Sequence, residues 1–325
     1  MNEVLVRSGG LYTTVQDAGR DGHYAIGMPP SGAMDRYSFT IANLLAGNPG
    51  SDAALEATYL GPELEFTDSR AVAVTGADSS VTINGVSAPM WTSLRVGPGD
   101  VLGFGPLAAG ARPYVAIGGG LDVPEYLNSR STYKLTGIGG FEGRALAEGD
   151  RVPLGQAQDP PAEGTTVPAE FLPEFPDVVD VRLVVGLCSY RLTEDALNSF
   201  FDTTWKVTKD ADRIGYRLRG GAIDFIEREQ PFGAGSDPAN VVDLGYPIGS
   251  VQIPGGNEPI ILLNDAVTGG GYATVGTVVS ADRDRIAQTG TGGHVRFTAT
   301  DVDSAVQARQ DRDAWLHKLR TVLSG

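Results

Sequence analysis

The chain has one cysteine, Cys188, so no internal disulfide can form and a reducing cytoplasm is the expected location. Histidine is nearly as scarce. His23, His294 and His317 are scattered, no two stand at metal-ligand spacing, and no metal site is expected. Positive charge is in deficit: 25 Lys and Arg face 40 Asp and Glu, a formal net charge of −15. That balance argues against the basic face needed to bind a nucleic-acid backbone. Long apolar runs are missing as well. Runs such as Pro259–Leu263 fall far short of the roughly 20 residues that cross a bilayer. Met1–Arg7 shows no basic stretch leading into an apolar one, so neither a membrane span nor a signal peptide is expected. No Gly-x4-Gly-Lys-Ser/Thr loop and no Gly-x-Ser-x-Gly elbow occurs. Chemistry is left to carboxylates, arginines, amides, hydroxyls and backbone N–H groups.

What is present is glycine and short apolar runs. The 44 glycines are about twice the average share, and 20 prolines add further turns. Length alone suggests about two domains. Val4–Val6, Leu64–Phe66, Ala71–Thr75, Val81–Ile83, Val101–Phe104 and Tyr114–Ile117 read as strands, as do Val181–Val185, Ile260–Leu263, Ala273–Val279 and His294–Thr298. Asn84-Gly85 between two of these runs signals a tight hairpin. Strands this short and numerous point to barrels or sandwiches, a mainly β fold.

Helices are few. Asp35 can cap one running to about Ala46, with Tyr37, Ile41, Leu44 and Leu45 on one face and Gly47 as its stop. A second covers about Glu194–Phe201 behind Thr193, and a short third follows Ser280. The last spans about 302–323, with Val302, Ala305, Val306, Leu316, Leu319 and Leu323 near one stripe. Residues 156–178, rich in proline and acid and without periodicity, read as a linker between an N-terminal domain (1–155) and a C-terminal one (179–325). Val96–Phe104 is echoed by Ala147–Leu154 and more weakly by Thr291–Phe297; all three read as a turn feeding a late strand.

Three constellations carry polar chemistry. The first lies in the glycine-broken stretch 9–35: Gln16, Asp17 and Arg20, with Ser31 and Asp35 downstream. Arg20 can fork onto a carboxylate or phosphate, Gln16 can read an amide, and an aspartate can move a proton. Alternatively, Asp17 and Arg20 pair across a turn and Asp35 only caps its helix. The second is Asp212–Arg219, where alternation puts Arg213 and Arg217 on one strand face and Ile214, Tyr216 and Leu218 on the other. A solvated strand face is the blander reading, and on these residues alone it is preferred. The third is Gln252 with the strand end that runs into Asp265, Thr268 and Gly269-Gly270-Gly271-Tyr272. It is either a site aimed by a rigid strand or a turn in which Asp265 bonds its own backbone.

These residues fall into motifs: Thr14-x-Gln16-Asp17-x-Gly19-Arg20-x-Gly22, Ser31-Gly32-x-Met34-Asp35, Asn43-x-Leu45-x-Gly47-Asn48, Glu56, Gly118-Gly119, Asp212-Arg213-x-Gly215-Tyr216-Arg217-Leu218, Gln252-x-Pro254 and Asp265-x-x-Thr268-x-Gly270-Gly271-Tyr272. In that order they resemble the KipA-like family, also called allophanate hydrolase subunit 2 or the C component of 5-oxoprolinase. The family is similar to part of the carboxyltransferase domain of urea carboxylase. The resemblance implies two cyclophilin-like β-barrel domains. It also implies a KipI-like partner (the B component), a third partner (the A component), and ATP used at the level of the complex to open 5-oxoproline to glutamate, the chain being inactive alone. Two alternatives go with it: a carboxyltransferase served by biotin on a separate carrier, in a urea or amide carboxylase or an allophanate hydrolase-type complex, or a non-enzymatic binder of a KipI-like protein. The roles it implies are proton transfer by Asp265 and Asp17, and anion binding by Arg20 and by Arg213 or Arg217. Gln16 and Gln252 would orient the amide, with Ser31, Asp35, Thr268, Gly270 and Tyr272 completing the substrate set. Val267 and Gly269 depart from the Gln and Thr usual in the family's loop, which removes an amide and a hydroxyl from the implied pocket and leaves the substrate open to differ from that of the better-known members.

Overall fold

A computed structural model describes residues 2–227 and 229–324. The chain divides into two compact units. The first comprises Met1–Arg20, Ser31–Glu174 and Trp315–Gly325; the second comprises Asp21–Pro30 and Phe175–Ala314.

The first unit is built on β1 (Glu3–Ser8), β2 (Thr13–Gln16), β3 (Ala54–Ala57), β4 (Glu63–Phe66), β5 (Arg70–Ile83), β6 (Val86–Ala88), β7 (Leu94–Val96), β8 (Val101–Ile117) and β9 (Arg151–Pro153). They make one sheet in the order β2-β3-β8-β4-β1-β9, with β5 paired to β6, β7 and β8. Two pairs of expected strands are in fact single long ones. Ala71–Thr75 and Val81–Ile83 are both β5, and Val101–Phe104 and Tyr114–Ile117 are both β8. The residues that look like breaks are absorbed as bulges, where the β5–β8 register shifts between Gly76 and Val81. Gly76 is required there: φ is +83°, and a Cβ would lie 2.2 Å from the Arg112 carbonyl oxygen. The hairpin at Asn84-Gly85 forms as expected, both residues having positive φ (53° and 75°) and Ile83 facing Val86.

Helix α1 (Arg36–Leu45) starts at Asp35 and stops before Gly47, whose φ is +80°. Its Ile41 and Leu45 pack with Trp91, Val167, Phe171, Leu319 and Leu323. Val167 and Phe171 lie within the expected linker. The segment up to Glu174 is therefore part of the first unit, held by bonds such as Val167 N–H to the Trp91 carbonyl, 2.9 Å. Its prolines and acids mark irregular but packed chain, because two large apolar side chains anchor it.

The echoed turns share one hydrogen-bond pattern. Gly99 N–H donates to the Phe66 carbonyl and Phe66 N–H to that of Asp100. Gly149 and Asp150 do the same with Val6, and Gly292 and Gly293 with Val207. In each, the first glycine has φ between 86° and 89°.

The second unit contains β10 (Val178–Val185), helix α2 (Glu194–Asp202), β11 (Trp205–Ala211), β12 (Gly215–Arg219), β13 (Asn240–Gly245), β14 (Ser250–Gln252), β15 (Ile260–Leu262), β16 (Gly269–Tyr272), β17 (Thr274–Val278), helix α3 (Arg283–Gln288) and β18 (His294–Thr300). Seven strands close a barrel in the order β10-β17-β14-β15-β12-β11-β18, with β10 and β18 parallel, while β13 and β16 form a separate two-stranded ribbon. Phe200 stacks on Phe297 at 4.8 Å and Trp205 Nε1 donates to the Phe200 carbonyl in the barrel core. Helix α4 (Val302–Ser324) has an apolar stripe that is buried only toward its end. Leu319 and Leu323 are covered, but Val302 and Val306 are exposed. None of the described helices is long and apolar enough to cross a membrane.

Candidate functional site

Strand β2 carries Gln16 to the edge of the first constellation. Gln16 Nε2 donates to Thr14 Oγ1 (3.0 Å) and to the Thr132 carbonyl (3.2 Å). Asp17 accepts four bonds, from Gly19 N–H (2.8 Å), Ser129 Oγ (2.7 Å), Ser131 Oγ (2.5 Å) and Arg130 N–H (2.5 Å). A carboxylate has about four lone-pair sites, so this one is fully used in joining residues 17–19 to 129–131. Arg20 is buried, and its guanidinium is directed at backbone carbonyls, those of Ser131 and, at 3.5 Å, Tyr126. These three side chains frame a loop from within.

The chain re-enters the first unit at Ser31 and is pinned there. Ala33 N–H donates to the Asp17 carbonyl (2.9 Å) and Arg36 Nη2 to that of Ala18 (2.8 Å). Gly32 has φ +82°, and a Cβ there would come within 2.9 Å of Gly19 Cα. Asp35 caps α1, accepting from Ser38 N–H (2.9 Å) and Ser38 Oγ (2.6 Å). Behind it Tyr114 accepts from Asp35 N–H (2.8 Å) and donates to Glu56 (2.7 Å), which also accepts from Met34 N–H (2.8 Å). Burial, then the Glu56 and Asp35 carboxylates, pushes the Tyr114 hydroxyl well above its usual range, so it stays protonated. Ser31 is buried in this return, with φ 53°.

In the second unit the structure brings Arg213 and Asp265 together. Arg213 lies just before β12, not on its exposed face, and forks onto Asp265 through Nε (2.8 Å) and Nη2 (3.1 Å), both side chains being buried. Asp265 N–H also donates to the Arg213 carbonyl (2.9 Å). Arg217 is not part of this pair: it meets Glu258 at 3.1 Å, as does Arg219 at 2.8 Å. Those hydrogen bonds, Arg219 first, hold the Glu258 carboxyl below its usual range. Gln252 sits on β14 opposite Ile260 and Thr274. Gly270 and Tyr272 belong to the β13–β16 ribbon, locked by Tyr246, whose hydroxyl donates to the Tyr272 carbonyl (2.8 Å) and accepts from Tyr272 N–H (2.7 Å).

The second unit also contains a pocket of about 630 Å³, within the size range of small-molecule sites. Tyr24, Ala25 and Pro30 line it from the glycine-broken segment, Gly245–Ile248 from the end of the ribbon, and Asp21, Thr268 and Arg283 add polar groups. Of the expected site residues only Thr268 lines it. The chain neighbours of Arg283 are ion-paired, Asp282 with Arg182 (2.6 Å) and Asp284 with Arg312. Burial pushes the Tyr24 hydroxyl up, partly offset by the Ile248 backbone amide and by Arg283, while Asp21 adds to the rise. The sequence marked the stretch holding Asp21 and Tyr24 but not those residues. Tyr246, Pro247, Ile248 and Arg283 belong to none of the three constellations.

The model of the carboxyltransferase domain, subdomain A and B, matches residues 26–299. The chain belongs to that family. It is 35% identical over 97% of its length to the urea amidolyase of Lachancea kluyveri, of which it spans 18%. It is 32% identical over 97% of its length to the C component of 5-oxoprolinase from Escherichia coli, of which it spans 96%. In three dimensions this carboxyltransferase-family chain superposes on the urea carboxylase of Kluyveromyces lactis with a TM-score of 0.92 and 33% identity, over 98% of its own length and 29% of that chain. The chain thus spans about a fifth of the yeast amidolyase and nearly all of the bacterial protein. Both kinds of relative are enzymes or parts of them, and the mainly β architecture expected from sequence is that of the urea carboxylase region on which the chain superposes.

Proposed function

We propose that this chain is the C component of an ATP-dependent 5-oxoprolinase complex, converting 5-oxoproline, ATP and water to glutamate, ADP and phosphate together with a KipI-like B component and an A component. The supporting observation is the likeness to the bacterial C component of 5-oxoprolinase, which extends over 96% of that protein. In this reading the pocket of the second unit receives the lactam. Pro30, Pro247 and Ile248 provide apolar surface for its ring, Arg283 attracts its carboxylate and the Thr268 hydroxyl reads its amide. Arg213 with Asp265, and Asp17 with residues 129–131, are positioning groups, since each carboxylate is occupied by fixed partners. Opening the ring breaks the C–N bond, joins the water oxygen to the carbonyl carbon and leaves a proton on the ring nitrogen. ATP, when bound to the complex, supplies the driving force for that attack. A pocket lined by one basic residue, Arg283, and one acid, Asp21, does not suit a triphosphate, so ATP is assigned to another component of the complex. The test is reconstitution: the three co-expressed proteins should release ADP only when 5-oxoproline is added. Full turnover without this chain would refute the reading.

A second reading is favoured by the close superposition on urea carboxylase: a carboxyltransferase served by biotin on another protein. Biotin supplies a carboxyl carrier when bound. Tyr24, Pro247 and Ile248 present surface suited to its fused rings, and Thr268 a hydroxyl suited to its ureido group. Carboxylation of urea by this chain plus a biotinylated carrier and a biotin carboxylase, without 5-oxoproline turnover, would select it.

A further inference from the structure

We propose that Tyr24 is the hydrogen-bond donor to the ligand's carbonyl oxygen in the second unit's pocket, and that the ligand is a small ring containing an N–C=O unit, a lactam or a cyclic urea. The proposal rests on the reading of this pocket as the substrate site.

The argument is one of unspent hydrogen-bonding capacity. Three hydroxyls belong to pocket-lining side chains: those of Tyr24, Tyr246 and Thr268. Tyr246 both donates and accepts with the Tyr272 backbone and has no proton left to offer. Tyr24 is different. It lines the pocket, and among the described residues no acceptor takes its O–H proton. Thr268 engages its carbonyl, which accepts from Tyr246 N–H at 2.9 Å, but, among the described residues, not its hydroxyl. A pocket-lining phenol with no acceptor has its proton to give, and burial helps keep that proton on at neutral pH.

The surroundings narrow the class of ligand. Arg283 and Asp21 line the same pocket as Tyr24, so that pocket offers a cation and an acceptor as well as the phenol. An N–C=O unit presents an acceptor oxygen next to an N–H donor. It therefore needs a donor beside an acceptor, which Tyr24 and Asp21 supply. Arg283 adds positive charge that suits a carboxylate on the ring. A donor in place before any charge develops on the carbonyl oxygen is also what acyl chemistry requires.

The test uses the full chain and calorimetry with three probes: 5-oxoproline, 2-imidazolidinone and L-proline, the last having the ring and carboxylate but no ring carbonyl. Wild type should bind the first two. Tyr24→Phe, melting at the wild-type temperature, should bind both roughly 3- to 10-fold more weakly and leave L-proline unchanged, the size of one net hydrogen bond. Ala25→Trp, which fills the pocket, should abolish both. Equal affinity of wild type and Tyr24→Phe for the two carbonyl rings would overturn the proposal, as would L-proline binding as tightly as 5-oxoproline. If the three-protein complex fails to open 5-oxoproline but Tyr24-dependent binding of 2-imidazolidinone persists, the 5-oxoprolinase reading falls and this proposal stands. If turnover survives Tyr24→Phe with KM unchanged, this proposal falls and that reading stands.

Discussion

Replacing Asp265 by Asn separates two accounts of this residue. If Asp265 carries protons, the change removes turnover and leaves the fold intact, because Asn keeps the shape. If Asp265 is the buried counter-charge of Arg213, the guanidinium loses that charge in a site where both side chains are under a tenth exposed. Breaking a buried pair on one side costs about 3–5 kcal/mol, since the remaining charge stays ionised and shielded from water. For a domain of this size about 2–4 °C of Tm goes with each kcal/mol, so a fall of roughly 6–20 °C is expected. The assay is thermal unfolding followed by circular dichroism, with the double variant Arg213→Met, Asp265→Leu alongside. Removing both charges should restore most of the loss, because no uncompensated ion remains. An Asp265→Asn protein that melts at the wild-type temperature would refute the reasoning and return Asp265 to the proton-transfer role.

Two further outcomes follow from the geometry. Gly32→Ala should cost about 1–3 kcal/mol in a urea melt, because its backbone is left-handed and the new methyl meets Gly19. Gly85→Ala, equally left-handed but in open space, should cost less. The Asp150 carboxyl is held below its ordinary value, first by the Arg144 hydrogen bonds and then by Ala147 N–H. A depressed folded-state value means that its stabilisation is present above the unfolded value and is lost as pH falls through the folded one. Asp150→Asn should therefore be less stable than wild type near about pH 6, the gap closing toward about pH 3. A pH-independent gap would contradict this.

The sequence was most legible where the controlling interaction is local. Asp35 reaches only three residues to Ser38, and Asn84-Gly85 sets its own hairpin, so both could be read off the chain. The echoed turns repeat because each is one glycine with positive φ feeding a strand. Legibility failed where partners are remote. Arg213 and Asp265 were singled out in separate constellations, one for anions and one for protons. Only the pairing of β12 with β15, Gly215 opposite Leu262, turns them on each other. Likewise the sequence offers Asp17 as a proton carrier or a turn partner of Arg20, because Ser129 and Ser131, which occupy it, lie more than a hundred residues away. Strands β2 and β3 escaped notice because all eight of their residues are buried, so no alternation of polar and apolar side chains marks them. The proline-rich segment looked like a tether because composition does not reveal that Val167 and Phe171 are core.

The central claim is that the second unit's pocket binds a ring bearing N–C=O. Its most direct test is a crystal structure of the full chain soaked with 5-oxoproline. The account predicts the lactam oxygen within hydrogen-bonding distance of the Tyr24 hydroxyl and the carboxylate toward Arg283. Ordered 5-oxoproline bound elsewhere on the chain, with that pocket holding only solvent, would contradict it.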